Sequence, residues 1–343
     1  MGCDGCELWL SDAQLIAALE EILCSNAGLP RQEVTQVLRE EVGPHDMSEL
    51  YRDRELLADK IQTTFDTTNG VWSEIVDCIR RRAKCYAGLL GTIRAGHKGY
   101  ADQSEHPKLY PTRMTAAAQW SAPTLNEMAT KPWLEGCPRL IFISDMGDAL
   151  SQSVPFSFLR QEIVDNVLSA EGQRHNWLWL TKRPARMAKF GSWLAAQGLA
   201  WPPNLVAMTT VTAQSKAGRL DQLRKVPSRW KGLSLEPLFG PLDLCMQGID
   251  WVSVGGGSDA LAESFHVEWA LNVRDKCKVV GVAFFLKQLG KRPFYQGQPL
   301  DLADEHGGDW SEWPAEWRVR EVPQAFRNYS HKTNAGFGST ARA

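Results

Sequence analysis

Three cysteines have the residue type and spacing to bind a metal centre. Cys3 and Cys6 form a CxxC pair with glycine at positions 2 and 5, and Cys85 lies in the segment Lys-Cys-Tyr-Ala-Gly. A CxxC loop can direct two thiolates to one metal, and glycine lets the backbone approach it. With Cys85 as third ligand, the set predicts a [4Fe–4S] cluster with one open iron, which can chelate S-adenosylmethionine and start radical reactions.

The same cysteines permit three other interpretations. A structural zinc site needs four closed ligands, and Cys24 or Cys78 could supply the fourth. A redox-active CxxC needs a thioredoxin-like strand before it, which a motif at position 3 does not have. Gly2 followed by Cys3 is similar to a dually acylated N-terminus, although residue 6 is Cys where the myristoylation pattern has Ser or Thr. We expect the metal site to exclude Cys137, Cys245 and Cys277.

A second group of polar residues stands where short apolar runs of the sequence end. In β/α barrels, the carboxyl ends of the strands carry ligand and substrate groups. Polar loops alone do not account for charges directly at the end of Leu-Thr-Lys-Arg-Pro and Leu-Ser-Leu-Glu-Pro. The candidate catalytic residues are Asp145, Lys182 and Arg183. The candidates for cofactor binding are Ser144, Thr209, Thr210, Ser234, Glu236, Gly255, Gly256, Gly257 and Lys287.

Two of these features also have plain structural explanations. The glycine run 255–257 could cradle an adenosine or a carboxylate with its backbone N–H groups, but a sharp turn alone would also need glycine. Glu236, before Pro237, could bind a ribose or an ammonium group, or form a buried salt bridge to Lys287 or Lys182. The sequence leaves both choices open.

Repeated β/α units are the elements that would bring these residues together. Apolar runs, each followed by a helical stretch, predict parallel strands that are covered on both faces. The predicted strands span residues 139–145, 176–181, 205–211, 232–236, 250–254 and 282–287. Residues 108–114 could form another strand. The pattern indicates a full or partial β/α barrel or an open doubly wound sheet, without giving the strand order.

A mostly helical block separates the two cysteine motifs. Apolar residues at helical spacing predict helices that begin at Ser11 or Asp12 and then lie near 31–41, 48–66 and 71–84. The expected domains are a cluster-binding segment at 1–9, a helical insertion at 10–84, the β/α core at 85–295, and a Trp-rich cap with a loose tail at 296–343.

Composition excludes several classes of protein. Of 343 residues, 43% are hydrophobic and 23% are charged, with 38 basic against 40 acidic side chains. These proportions exclude a disordered protein and a histone-like polycation. A nucleic-acid partner would need a local basic face, for which the candidates are Arg80, Arg81, Arg82 and Lys84, or Arg224, Lys225, Arg229 and Lys231. No membrane span or signal peptide is recognised, so we expect a cytoplasmic protein.

Taken together, the motifs resemble the phage-associated three-cysteine-motif family of radical-SAM-like proteins. The resemblance covers residues 1–9 and about 85–295, and it rests on Cys-Asp-Gly-Cys-Glu-Leu-Trp at 3–9, Cys-Tyr-Ala-Gly at 85–88, Leu-Thr-Lys-Arg-Pro at 180–184, Leu-Ser-Leu-Glu-Pro-Leu-Phe-Gly-Pro-Leu-Asp-Leu at 233–244, Asp-Trp-Val-Ser-Val-Gly-Gly-Gly-Ser at 250–258 and Ala-Phe-Phe-Leu-Lys-Gln-Leu-Gly at 283–290. It implies a partial (β/α) barrel of the radical SAM type, a [4Fe–4S] cluster on Cys3, Cys6 and Cys85, and S-adenosylmethionine as cosubstrate. The chain departs from the usual CxxxCxxC pattern of a single loop, because 78 residues separate Cys85 from Cys6. The helical block must therefore fold back to bring Cys85 beside Cys6.

The resemblance also implies a substrate class. Some proteins of this type are tied to hypermodification of thymine in phage DNA, where an amino acid joined through nitrogen is rearranged to a carbon-linked form. A 5′-deoxyadenosyl radical would abstract hydrogen from its α-carbon, as in an isomerase or mutase. Lys182, Arg183 and Lys287 would bind the amino-acid carboxylate. The expected partners are phage DNA and a reductant protein for the cluster, with no membrane, in the cytoplasm of an infected bacterial host.

Two other functions compete with this one. The chain could be a zinc-stabilised β/α protein that binds nucleic acid or a partner without redox chemistry. It could also be a hydrolase or lyase with Asp145, Asp148 and Glu236 as acid and base. Colour separates the first two functions, because an iron–sulfur cluster is brown and zinc is colourless. The hydrolase predicts that cysteine substitutions leave activity intact.

Overall fold

The apolar runs form one parallel sheet in a computed structural model that describes residues 12–27, 30–42, 61, 75, 109–144, 147–258 and 262–327. Its strands are β1 (Leu140–Ile143), β2 (Asn176–Thr181), β3 (Leu205–Thr210), β4 (Lys231–Leu235), β5 (Trp251–Gly255) and β7 (Ala283–Gln288). A small second sheet contains β6 (Phe265–His266), β8 (Pro293–Tyr295) and β9 (Gln298–Pro299). Each strand of the main sheet lies within one or two residues of its predicted run, so the α/β class with a parallel sheet is confirmed.

The order of the strands across the main sheet follows their order along the chain, β1-β2-β3-β4-β5-β7. All neighbouring strands in it are parallel. A doubly wound sheet reverses its strand order at a switch point, whereas a β/α barrel adds each new strand on the same side of the last. The sheet is therefore a half-barrel, and the doubly wound alternative is excluded.

The helices of the described residues are α1 (Asp12–Ala27), α2 (Arg31–Val42), α3 (Arg113–Ala118), α4 (Leu125–Thr130), α5 (Phe156–Leu159), α6 (Asp165–Leu168), α7 (Pro184–Ala196), α8 (Arg219–Arg224), α9 (Val267–Val280) and α10 (Gln324–Arg327). Among them, α7, α8 and α9 cover one face of the half-barrel, which we name the outer face; α8 contacts β3, and α9 contacts β5 and β7. In α7, Met187, Phe190 and Leu194 recur at helical spacing and are buried. The Phe190 ring packs edge-on against Trp179 of β2 at 5.5 Å. Among the described residues, no helix is long and apolar enough to cross a membrane.

The opposite, inner face is apolar near the amino ends of the strands. Leu178, Val206, Met208, Trp251 and Phe326 form a buried cluster there, which we name the apolar floor. Phe326 comes from α10, near the end of the described chain, and its ring packs edge-to-face against Trp251 at 6.0 Å. The C-terminal segment therefore fills the half-barrel that the strands leave open.

The same C-terminal segment also runs beside β7. The backbone N–H of Leu286 donates to the carbonyl of Val319 at 2.8 Å, and Arg320 forms an antiparallel bridge with Phe285. β7 is the last strand of the main sheet, and an unpaired edge strand can pair with another chain and aggregate. The contacts with the C-terminal segment cover this edge. In the predicted Trp-rich region, Trp313 is almost fully buried.

The chain divides into two compact units, residues 1–109 with 146–153 and residues 110–145 with 154–343. In the first unit, α1 and α2 pack against each other, which confirms the first two predicted helices. Their buried residues include Leu19, Leu23, Val34 and Leu38. The helices predicted near 48–66 and 71–84 and the predicted tail lie outside the described residues, apart from residues 61, 75 and 296–327.

The suggested strand at 108–114 is wrong for the part of it that the structure describes. Pro111 and Thr112 form a turn, and α3 begins at Arg113. Proline has no N–H to donate to a strand ladder, and the alanines of Met-Thr-Ala-Ala-Ala favour a helix.

Candidate functional site

Three hydroxyl groups form a row on the inner face, two residues nearer the carboxyl ends of the strands than the apolar floor. Thr210, Ser234 and Ser253 pair in register on β3, β4 and β5. Registered residues of neighbouring strands point to the same face, and Met208 and Trp251 of the floor lie two positions earlier on their strands. All three residues are buried, and within the described part of the chain none of the three hydroxyls is hydrogen-bonded. We name these residues the hydroxyl row.

Glu236 follows β4, two positions beyond Ser234. Its Oε2 accepts a hydrogen bond from Lys287 Nζ at 3.3 Å. Its Oε1 is also 3.3 Å from Nζ, but it is buried and accepts no hydrogen bond in the structure. The side chain of Glu236 is 17% exposed and that of Lys287 is 56% exposed. The salt bridge to Lys287 that the sequence allowed is therefore present, and apart from this ion-pair contact Oε1 accepts no hydrogen bond from the described residues.

The surroundings of Glu236 control both its charge and its position. Burial raises the pKa of Glu236 above its ordinary value, while the charge and the hydrogen bond of Lys287 act in the opposite direction. Gly255 leaves space for the carboxyl group, because a Cβ at residue 255 would lie 2.6 Å from Glu236 Oε1. Glycine at this position thus has a specific explanation, which is close approach to Glu236.

The next two glycines pack against the end of β7. The N–H of Gly256 donates to the carbonyl of Gln288 at 3.2 Å, and the side-chain amide of Gln288 donates to the carbonyl of Gly256 at 3.1 Å. The carbonyl of Gly257 accepts the N–H of Lys291 at 2.9 Å. The predicted cradle of N–H groups at 255–257 is therefore reduced, because the fold itself uses the N–H of Gly256.

The other predicted strand-end residues differ in the face that they occupy. The hydroxyl of Thr209 donates to the carbonyl of Thr181 at 2.8 Å on the outer face, so the structure does not bring Thr209 to the hydroxyl row. Lys182 and Arg183 follow β2 at the carboxyl end of the sheet, and the N–H of Arg183 donates to the Thr181 hydroxyl at 2.9 Å. Ser144 follows β1 with a left-handed φ of 63°, an uncommon conformation for serine.

Several predicted site residues lie outside the described residues, namely Cys3, Cys6, Cys85 and Asp145. Within the described part, no three His, Cys, Asp or Glu side chains are grouped as a metal site. Burial raises the pKa of Cys277 to about 12, as expected of a cysteine that packs as a small apolar residue. Asp148 belongs to the first unit, where its carboxylate accepts the N–H of Leu150 at 2.9 Å.

The second candidate basic face lies at the wrong end of the sheet for this site. Lys231 begins β4, about 16 Å along the strand from Glu236 at 3.3 Å per residue. Its Nζ donates to the carbonyl of Ser228 at 2.6 Å, and Arg224 donates to the carbonyls of Gln247 and Cys245. These two cations thus hold loops together near the amino end. The first candidate face, residues 80–84, lies outside the described residues.

Sequence reasoning missed Ser253. It is the only polar residue inside the apolar run of β5, and its position two residues before Gly255 places both on one face. A hydroxyl inside an otherwise apolar strand was the available signal.

The fold and the site together define a class, a β/α half-barrel with a polar site at the carboxyl end of its strands. A family model described as "Protein of unknown function (DUF5131)" matches residues 60–322, which is most of the chain. The chain therefore belongs to the DUF5131 family. No curated protein and no solved structure matches it.

Proposed function

We propose that this chain is a radical S-adenosylmethionine enzyme whose cofactor site is the polar inner face of the half-barrel. The observation that carries the proposal is the buried Oε1 of Glu236, which lies 3.3 Å from Lys287 Nζ but accepts no hydrogen bond from the described residues, at the end of the sheet where β/α barrels bind ligands. A buried acceptor without a partner costs free energy. A ligand that donates a hydrogen bond there would recover it.

The residues on this face fit S-adenosylmethionine. Glu236 Oε1 suits the ammonium group or a ribose hydroxyl, and the half-exposed Lys287 suits the carboxylate. The hydroxyl row offers donors and acceptors that are not used within the described part of the chain. When bound, S-adenosylmethionine and the cluster would supply a 5′-deoxyadenosyl radical. In this proposal Cys3, Cys6 and Cys85 hold the [4Fe–4S] cluster, and a reductant protein serves it.

The proposed reaction is an isomerisation of a modified base, an aminoacylated thymine in phage DNA, in the cytoplasm of an infected host. Lys182 and Arg183 support this, since they are cations at the carboxyl end of the sheet and suit an amino-acid carboxylate. A base must leave the duplex stack to reach such a site. Asp145, which follows Ser144 in the sequence, remains a candidate catalytic residue.

The cluster is tested by iron and sulfide counts on the full chain, purified without oxygen. We expect about four of each per chain, and loss of the cluster in Cys3→Ala, Cys6→Ala and Cys85→Ala but not in the control Cys277→Ala. A stoichiometric zinc content instead of iron would contradict the proposal. A full cluster in Cys85→Ala would move the third ligand to Cys78 or Cys24.

The cofactor site is tested by calorimetric titration with S-adenosylmethionine and by release of 5′-deoxyadenosine from the reduced protein. Glu236→Gln should weaken binding by about tenfold, because an amide replaces a charged acceptor. Asp243→Asn is the matched control, since Asp243 pairs with Lys276 at 2.8 Å on the surface, and its affinity should equal that of the wild type. Equal affinities for all three proteins would place the cofactor elsewhere.

A further inference from the structure

Lys287, the partner of Glu236, lies at an irregularity in β7. In the ladder between β5 and β7, Val254 pairs with Leu286 and Gly255 pairs with Gln288, so Lys287 has no opposite residue. Such a β-bulge turns a strand locally and re-aims a side chain. At this bulge the Lys287 side chain bonds Glu236 and the Gln288 side chain bonds Gly256.

One guanidinium group binds the backbone of this bulge. Arg320 Nε donates to the carbonyl of Leu286 at 3.0 Å, and its terminal nitrogen donates to the carbonyl of Lys287 at 2.6 Å. The same nitrogen donates to the carbonyl of Gly308 at 2.7 Å. The rigid planar fork of arginine fits two consecutive carbonyls in a way that lysine cannot. Arg320 therefore binds the carbonyls on both sides of the Lys287 Cα, the extra residue of the bulge.

Arg320 is itself held by aromatic rings. Its guanidinium carbon lies 4.5 Å from the ring centre of Trp133 and 5.1 Å from those of Trp310 and Trp313. Among the described residues no carboxylate lies within ion-pair distance of it, so carbonyls and ring faces, with the more distant charge of Asp309, stabilise this partly buried cation. A single hydrogen bond would be enough for an arginine that only joined the C-terminal segment to β7. Arg320 instead binds two consecutive carbonyls of the bulge.

We propose that Arg320 is a positioning residue that fixes the β7 bulge and thereby holds Lys287 against Glu236. The inference rests on the proposed function, since it assigns to Arg320 the upkeep of the cofactor site. The charge and hydrogen bond of Lys287 oppose the rise that burial gives to the pKa of Glu236, and the residue that β5 places against Glu236, Gly255, carries no charge. Loss of the fork should therefore release Lys287 and let Glu236 titrate at higher pH.

The first test uses the full chain without ligand. The titration of Glu236 is followed by NMR of carboxyl-labelled glutamate, with Glu236→Gln to assign the signal. Arg320→Met and Lys287→Met should each shift the midpoint to higher pH, and Arg320→Met should add little in the Lys287→Met background. Arg320→Lys, which keeps the charge without the fork, should restore the midpoint only in part.

The matched control is Arg318→Met. Arg318 belongs to the same segment and donates to the carbonyls of Trp313 and Ser311, each at 2.8 Å, without contacting β7. The Arg318→Met variant should have a lower melting temperature, as Arg320→Met should, but the midpoint of its Glu236 titration should equal that of the wild type. An unchanged midpoint in Arg320→Met, or equal shifts in both arginine variants, would overturn the proposal.

The second test measures the affinity for S-adenosylmethionine as a function of pH. The acid limb of binding should move to higher pH in Arg320→Met, with about a tenfold loss at neutral pH and recovery as the pH rises. Failure of the wild type to bind the cofactor would refute the proposed function, while the ligand-free titration would still decide the role of Arg320. A pH-independent loss of affinity in Arg320→Met would contradict the positioning role.

Discussion

The inner face of the half-barrel has two halves that differ although the same strands build both. Near the amino ends, the apolar floor packs around Phe326, and the buried polar side chain of Asn176 beside it is satisfied, because its amide donates to the carbonyl of Phe326 at 2.9 Å. Two positions further along β3, β4 and β5, the hydroxyl row begins, and Glu236 follows it with one acceptor unused. The first half is arranged to exclude water, and the second presents polar atoms that the described part of the fold does not satisfy.

The two halves should therefore have different roles: the apolar floor stabilises the fold, and the polar half binds a ligand. Buried apolar contacts stabilise the fold, whereas unsatisfied buried polar atoms cost stability and are retained where a ligand needs them. We therefore expect substitutions in the floor to change the free energy of unfolding. Substitutions beyond it should change mainly ligand affinity.

The largest expected effect is that of Phe326→Ala. Phe326 is about 1% exposed and packs edge-to-face against Trp230 and Trp251, so its loss leaves a cavity and should cost about 3–5 kcal/mol of unfolding free energy. Phe142→Ala is the control, because Phe142 of β1 shares the inner face but is 45% exposed. Urea unfolding followed by circular dichroism should show a loss below about 1 kcal/mol for it.

Similar losses in the two phenylalanine variants would mean that the floor is not the apolar core of the half-barrel. A loss of cofactor affinity in a folded Phe326→Ala protein at low temperature would show that the two halves are coupled.

A smaller effect on stability and a larger one on binding are expected for Gly255→Ala. The new Cβ would lie 2.6 Å from Glu236 Oε1, so the carboxyl must move, at a cost of about 1–3 kcal/mol. Gly240→Ala is the matched control, since a Cβ at Gly240 meets no atom within 4 Å. Calorimetry should show binding of the proposed cofactor, S-adenosylmethionine, lost in the first variant and kept in the second, and wild-type affinity in Gly255→Ala would contradict the proposed placement of this ligand at Glu236.

The sequence predicts the strands of this fold well but not the faces of their residues. Continuous apolar runs mark strands that are buried on both sides, and for the same reason they show no alternation to tell the inner face from the outer one. Every residue of β3 is buried, so Thr209 and Thr210 looked equivalent, and only the pairing of Thr210 with Ser234 separates them.

Two parts of the site depend on contacts between residues far apart in the chain. The bulge that presents Lys287 arises from the pairing of β7 with β5, and its fork comes from Arg320, more than thirty residues later. No local pattern around Lys287 encodes either contact. Glu236 was accessible to sequence reasoning because a charge directly after an apolar strand is itself unusual.

The smallest effects, and the sharpest comparison of the two faces, are expected for Thr209→Val and Thr210→Val. These neighbours have the same side chain, and valine keeps its shape while removing the hydroxyl. Thr209 donates to the carbonyl of Thr181 at 2.8 Å, so its replacement should cost about 1 kcal/mol of stability with unchanged cofactor affinity. Thr210 has no such bond within the described part of the chain, so its replacement should leave stability unchanged and weaken cofactor binding by about three- to tenfold. Urea unfolding and calorimetry on both variants decide the matter, and the reverse pattern would place the ligand on the helix-covered face, where Thr209 lies.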